Sequence, residues 1–281
     1  MRRSAVLAVV VVCAVGAASC STGSGGDGRP AVVAGFAPLA EVARRVGGDR
    51  VSVRDLTPPG AEPHDLELPP DAVAAVADAA LAVVVGGGFQ PAVEEAAARR
   101  RGPTVRAVRP GDRDPHVWLD PTRMARLAGQ VAGELARLDP EGAGGYRDRA
   151  ATYRRELAAL DREYAAGLAR CERRVIVVTH DAFGALARRY DLRQESLAGI
   201  SPEAEPDPAR LDELVRLVRR EGVTTVFTEP HVSPRLARAL AREAGVRTAV
   251  LDPIEILQPK ADYASVMRRN LAALRAALGC R

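Results

Sequence analysis

Four histidines occur in this 281-residue chain, and three of them stand where a metal site would want them. They are His64 in Glu62-Pro63-His64-Asp65, His116 in Asp114-Pro115-His116-Val117-Trp118, and His180 in Thr179-His180-Asp181. Neutral imidazole is the commonest protein ligand for zinc. A lone histidine beside a strand is ordinarily a surface or capped residue. Here that ordinary explanation would have to hold three times over, so one shared site is the better reading. Asp252, in Leu251-Asp252-Pro253, supplies a carboxylate, although Asp-Pro after a strand is also a turn signal. Three imidazoles and one carboxylate make a closed four-coordinate set for a borderline cation. Asp65, Asp181, Glu203, Glu205 and Glu229 are candidates to accept the second ring N–H of a ligating histidine and fix its tautomer. His231, in Thr228-Glu229-Pro230-His231, reads as an exposed loop residue and is left out of the set. Trp118, the only tryptophan, reads as packing beneath the site.

The elements that must carry these residues alternate short apolar runs with amphipathic stretches. Strands are predicted at Ala31–Ala34, Val51–Val53, Leu81–Val85 and Thr104–Val108, with helices over Pro38–Val46, Pro70–Ala80 and Pro91–Arg101. Asp120-Pro121 reads as a cap with proline at the first helical position, opening a helix to about Leu138. Asp139-Pro140 ends it, and a long proline-free helix follows from about Gly145 to Arg170. A second succession opens at Val175–Val178 and closes with a helix over Tyr263–Leu278. It has predicted strands at Glu195–Leu197, Val223–Phe227 and Thr248–Leu251. Its predicted helices start at Ala182 and run over Pro208–Glu221 and Ser233–Ala244. A βα rhythm implies parallel sheets covered by helices, with ligands outside the carboxyl ends of the strands. His64, His116, His180 and Asp252 all follow predicted strands, two in each half, so a cleft between two α/β lobes would gather them.

Composition narrows the function. Hydrophobic residues make up 47% of the chain, so disorder is not the default. Aromatics are only 4%, which argues against stacking platforms for single-stranded nucleic acid. The net charge of +4 is nearly all arginine, interspersed with glutamate, and reads as solvated helix faces.

The N-terminus reads as an export signal. Arg2-Arg3 precedes an apolar run, Ala5 to Ala18, that falls short of the ~20 residues a membrane span needs. Ala17-Ala18-Ser19-Cys20 resembles a bacterial lipobox, which makes Cys20 the lipid anchor, with Ser21 to Gly28 a flexible tether. That tether contains a literal G-x-G-x-x-G (Gly23, Gly25, Gly28), but it follows no strand and opens no helix, so a dinucleotide reading fails. Cys171 and Cys280 then remain in an oxidising compartment. An even pair suggests one disulfide, and spacing alone leaves two free thiols open.

Several motifs now occur in one order. They are Pro63-His64-Asp65; Asp114-Pro115-His116-Val117-Trp118-Leu119-Asp120-Pro121; Thr179-His180-Asp181-Ala182-Phe183-Gly184; Ser201-Pro202-Glu203-Ala204-Glu205-Pro206; Phe227-Thr228-Glu229-Pro230; and Leu251-Asp252-Pro253. The chain resembles the zinc/manganese solute-binding proteins of ABC importers, the metal-binding cluster A-I family. That resemblance implies an α/β fold of two Rossmann-like lobes joined by a long rigid helix, and ligand positions at His64, His116, His180 and Asp252. It implies a monomer that passes its ion to an ABC permease and its ATPase. Manganese members usually carry glutamate at the third position, so His180 favours Zn²⁺. The long histidine-rich loop of many zinc members is missing here, where only Arg109 to Arg113 precede the second motif, and this keeps Mn²⁺ as the alternative.

The expected division is a signal peptide (1–20), a tether (21–30), an N-terminal metal-binding lobe (31–140), a connecting helix (141–171) and a C-terminal metal-binding lobe (172–281). The expected function is extracytoplasmic capture of a divalent transition metal by a lipid-anchored protein that is not an enzyme. A secreted zinc hydrolase would need an open coordination position and a general base, and no H-E-x-x-H occurs. A metal-dependent surface adhesin draws support only from surface display. Affinity should fall below about pH 6, near the unperturbed histidine pKa.

Overall fold

The computed structural model describes residues 28–112, 114–201, 208–257 and 261–281. Cys20 and most of the tether, together with Glu203 and Glu205, lie outside the described residues. Two four-stranded parallel sheets organise the chain. The first contains β1 (Ala31–Ala34), β2 (Ser52–Asp55), β3 (Leu81–Val84) and β4 (Thr104–Arg106) in the order β2-β1-β3-β4. The second contains β5 (Val175–Val178), β6 (Arg193–Ser196), β7 (Thr225–Thr228) and β8 (Arg247–Val250) in the equivalent order β6-β5-β7-β8.

Helices α1 (Ala37–Gly47), α2 (Pro70–Asp78), α3 (Pro91–Arg99), α4 (Pro121–Leu138) and α5 (Ala143–Gly167) accompany or follow the first sheet. Helices α6 (Gly184–Arg189), α7 (Pro208–Arg220), α8 (Arg235–Ala244) and α9 (Tyr263–Leu278) accompany the second. The α4 start is the predicted one: Asp120 accepts a hydrogen bond from the Thr122 amide at 2.8 Å, and Pro121 takes the first helical turn.

The central strands β1, β3, β5 and β7 are buried on both faces, and their period of two sorts their side chains between two layers. In the first sheet Val32, Ala34, Leu81 and Val83 join a cluster with Leu39 and Val42 of α1, Leu127 and Val131 of α4, and Leu157 of α5. Val33, Ala82 and Val84 face the other way, against Val76 of α2 and Val93 of α3. The second sheet repeats the device. Ile176, Val178 and Phe227 join the same inner cluster, with Leu186 of α6 and Met267 of α9, whereas Val177 and Val226 pack on Leu214 of α7 and Leu240 of α8.

The inner cluster is therefore shared by both lobes. Helix α5 runs through it for 25 residues, about 37 Å at the usual rise per residue. The buried Tyr164 of α5 donates its hydroxyl to the Met267 carbonyl of α9 at 2.6 Å. Two further bonds cross between the lobes. Trp118 Nε1–H donates to the Pro253 carbonyl at 2.7 Å, and the Tyr263 hydroxyl donates to the Trp118 carbonyl at 2.6 Å.

Cys171, just beyond α5, and Cys280, just beyond α9, are joined by a disulfide. It closes a loop with a sequence separation of 109 residues. Constraining so long a loop in the unfolded chain is worth ~2–4 kcal/mol. Reduction, or Cys171→Ser with Cys280→Ser, is thus expected to lower the thermal midpoint by several degrees. Melting with and without reductant measures it, and an unchanged midpoint would contradict the expectation. No helix among the described residues is long and apolar enough to cross a membrane.

Candidate metal centre

Each candidate ligand sits in a chain segment that leaves a strand at its carboxyl end. His64 lies in the proline-rich segment between β2 and α2, where its amide donates to Glu62 Oε1 at 3.1 Å. His116 lies between β4 and α4. Asp114 shapes that turn by accepting the His116 amide at 2.9 Å, and a short helical turn over Val117–Leu119 follows. His180 comes directly after β5 and Thr179, and its amide donates to Glu229 Oε1 at 3.2 Å. The Thr179 hydroxyl donates to the same carboxylate.

These three imidazoles converge, and the carboxylate that joins them is Glu255. One ligand atom from each of His64, His116, His180 and Glu255 lies within 4.8 Å of every other. All four residues are buried, none more than 7% exposed. Glu255 Oε1 is 3.3 Å from His64 Nε2, 3.4 Å from His116 Nε2 and 3.3 Å from His180 Nε2. A tetrahedral zinc site with bonds of ~2.0–2.1 Å has ligand–ligand edges of about 3.3–3.4 Å. The three distances match those edges. His116 Nε2 is fully buried and its nearest charged neighbour is the Glu255 carboxylate, so this nitrogen faces the centre of the cluster.

The ring nitrogens turned away from the cluster have partners too. His116 Nδ1 is 2.9 Å from Asp114 Oδ1, and His180 Nδ1 is 2.7 Å from Glu229 Oε2. Glu229 is one of the five carboxylates proposed from the sequence for this role. Asp114 was not among them, although its place two residues before His116, in a turn that it shapes itself, was a usable signal. Beneath the site lies an aromatic bed. His64 packs on Phe89 with centroids 4.4 Å apart, His116 on Trp118 at 5.1 Å, and Phe89 on Trp118 at 4.7 Å. Trp118 is fully buried there.

The electrostatics follow from burial against pairing. Burial alone would lower the pKa of His180, but the Glu229 and Glu255 carboxylates outweigh it and push the imidazole up to about 10. Burial likewise opposes a charge on His116, and Asp114 with Glu255 overcomes it, raising the pKa. For Glu255, burial would raise the pKa. Hydrogen bonds from His116, His180 and His64 reverse this and hold the carboxyl well below its usual range. The expected acid limit near pH 6 therefore moves upward, because a proton competes for His180 well above the ordinary histidine pKa and His116 is shifted in the same direction.

Asp252 stands outside the cluster, which corrects the expectation drawn from the sequence. Its carboxylate oxygen Oδ1 accepts the Ile254 amide at 2.8 Å, closing an Asx turn. Its backbone is held by Asn270 of α9, a buried residue. Asn270 Oδ1 accepts the Asp252 amide at 2.9 Å, and Asn270 Nδ2 donates to the Asp252 carbonyl at 2.7 Å. The turn drives Ile254 to φ +61°, a rare conformation for a β-branched residue, and delivers Glu255 to the imidazoles. Asp252 thus builds the turn and Glu255 enters the site. The signal was present in the sequence: Glu255 is the lone charge in Pro253-Ile254-Glu255-Ile256-Leu257.

Asn270→Ala would leave the Asp252 amide and carbonyl without these partners. It is expected to cost about 1–3 kcal/mol of stability and to weaken metal binding as the Glu255 arm loosens. Denaturant unfolding and a metal titration check the two effects, and unaltered values in both would contradict this account of the arm.

With the geometry in place, comparison with known proteins is informative. The chain is 33% identical to the zinc-binding lipoprotein AdcA of Streptococcus pneumoniae over 299 aligned positions. The match takes in 96% of this chain and 60% of that relative, so the chain spans well under two thirds of AdcA. The crystal structure of the Zn(II)-bound ZnuA-like domain of the same AdcA is 34% identical, with a TM-score of 0.77 over 89% of this chain and 99% of that one. The laminin-binding protein Lbp of Streptococcus pyogenes is 31% identical, with a TM-score of 0.80 over 89% of this chain and all of that one. A family model described as "ZnuA: Zinc-uptake complex component A periplasmic" matches residues 32–277. Parallel sheets, ligand-bearing strand exits and this match across nearly the whole described chain agree, and the chain belongs to the family of periplasmic zinc-uptake complex component A.

Proposed function

We propose that this protein captures a divalent transition metal, Zn²⁺ in the first place, outside the cytoplasm and hands it to an ABC permease and its ATPase. The observation that carries the reading is the spacing of three imidazole Nε2 atoms at 3.3–3.4 Å around one Glu255 oxygen. His64, His116, His180 and Glu255 replace the water of the ion. The Glu255 carboxylate offsets part of its charge, and burial in the interlobe site keeps solvent out. The role is binding and release, not turnover.

Family membership and the zinc-binding lipoprotein AdcA support a lipid-anchored, extracytoplasmic location. In this reading Cys20 carries the lipid and residues 21–30 form the tether. Residues 31–140 and 172–281 form the two lobes on the connecting segment 141–171, and the Cys171–Cys280 bond forms on export. The protein works as a monomer. An adhesin reading rests on the name of the Lbp relative, whereas ion capture rests on the four converging side chains of this chain.

Mn²⁺ is the second candidate within the same function. Three nitrogens and one oxygen in a four-coordinate arrangement suit zinc, while manganese favours more oxygen ligands. Protein purified without added metal is expected to hold close to one equivalent of zinc. Mn²⁺ in hundredfold excess should fail to displace it. Metal analysis followed by competition is the measurement. Manganese retained in preference would reassign the cargo, and retention of neither metal would sink the proposal.

A further inference from the structure

The carboxylate of Asp114 touches both lobes. Its Oδ1 accepts the His116 amide and lies 2.9 Å from both that nitrogen and His116 Nδ1. Such a contact fixes the ring tautomer with hydrogen on Nδ1, leaving Nε2 to face the ion. The other oxygen, Oδ2, rests on the second lobe. Arg188 Nη2 of α6 is 3.3 Å away. Gly184, the first residue of α6, approaches so closely that a Cβ placed on it would lie 2.6 Å from Asp114 Oδ2. His180 is supported differently, because its partner Glu229 belongs to its own lobe. Of the two imidazoles with a carboxylate behind them, His116 alone is backed by a group that also touches the opposite lobe.

We propose that Asp114 is the positioning residue for His116, and that its seat on Gly184 and Arg188 makes the aim of this imidazole depend on contact between the lobes. This deepens the ion-capture reading and rests on it. Glycine at position 184 is required for the close approach, since a methyl group there would displace the carboxylate. Alanine is otherwise the better helix former, so Gly184→Ala should leave α6 intact. Arg188 is mostly exposed and lies at the edge of the contact, so it tunes the seat and does not create it.

The test uses the purified full chain loaded with Zn²⁺ or Co²⁺. Gly184→Ala is expected to speed Zn²⁺ release to a chelating dye by about tenfold, and Asp114→Ala by about 10–100-fold, the usual range for groups that orient a metal ligand. The visible spectrum of the Co²⁺ protein should change in both variants, because the His116 ring is re-aimed, while the metal-free Gly184→Ala protein melts near the parent. In the Asp114→Ala background, Gly184→Ala should add nothing, since the two act through one contact. Gly184→Ala with parental release rate and Co²⁺ spectrum overturns the proposal, whether or not Asp114→Ala folds. Independent, additive effects overturn the coupling as well. A parent chain that binds neither ion refutes ion capture itself, an outcome distinct from variants that match a binding-competent parent.

Discussion

Glu255→Ala is expected to weaken zinc binding by about a thousandfold, and Asp252→Asn by less than about threefold. The contrast follows from where the two carboxylates go. Glu255 places one oxygen within 3.4 Å of three imidazole nitrogens in a buried site. Its removal leaves a divalent ion with neutral ligands only, in a place that water reaches poorly. Breaking a buried charge pairing costs about 3–5 kcal/mol, and 4 kcal/mol is about three decades of affinity. Asp252 contributes a hydrogen-bond acceptor to the Ile254 amide, and asparagine offers the same oxygen at the same distance along the side chain. Zinc titration of the two variants against a competing chelator gives both numbers. Equal losses in the two variants, or a larger loss for Asp252→Asn, would remove Glu255 from the ligand set.

Zinc binding is expected to release at least about one proton per ion at pH 7.5, and affinity to rise about tenfold or more per pH unit between pH 6 and 8.5. In the metal-free protein the His180 imidazole, pushed up to about 10 by Glu229 and Glu255 against the effect of burial, holds its proton at neutral pH. His116 is shifted the same way. The ion must expel the His180 proton, so acid opposes binding over a window that begins well above the ordinary histidine range. Stability of the metal-free fold runs in the opposite direction. A folded pKa above the unfolded value of ~6.5 gives a contribution fully present below that value and lost as pH rises through about 10. Calorimetry in two buffers of different ionisation enthalpy counts the protons released, and the temperature midpoint of the metal-free protein follows the second effect. A proton count of zero at pH 7.5 would show that the imidazoles are already neutral and that the carboxylates do not hold the charge.

Much of the scaffold was legible because local rules decide it. The β-branched run Val175–Val178 is a strand in the interior of its sheet, as its apolar character on both faces predicts. Asp120-Pro121 starts α4 where cap and proline chemistry say it must. Boundaries moved by a few residues at the ends of segments, where the regular pattern frays. The strand predicted over Thr104–Val108 stops at Arg106, and the helix predicted from Ala182 starts at Gly184. The histidines were legible as a set because each leaves a strand at the end where open parallel sheets hold their ligands.

The amino-acid sequence by itself determined the βα rhythm, the two halves and the three imidazoles, because periodicity, caps and rare residue types are local properties of the chain. Tertiary structure alone decided which carboxylate completes the set. Asp252 and Glu255 are three residues apart on one turn, and the Asx bond with the Asn270 clamp directs the second inward. It also decided which acid backs which histidine: Asp114 from beside His116, and Glu229 from a strand exit 49 residues beyond His180. Such pairings depend on the direction of a side chain after the chain has turned and on contact between segments far apart in the sequence, and neither is written in the order of residues.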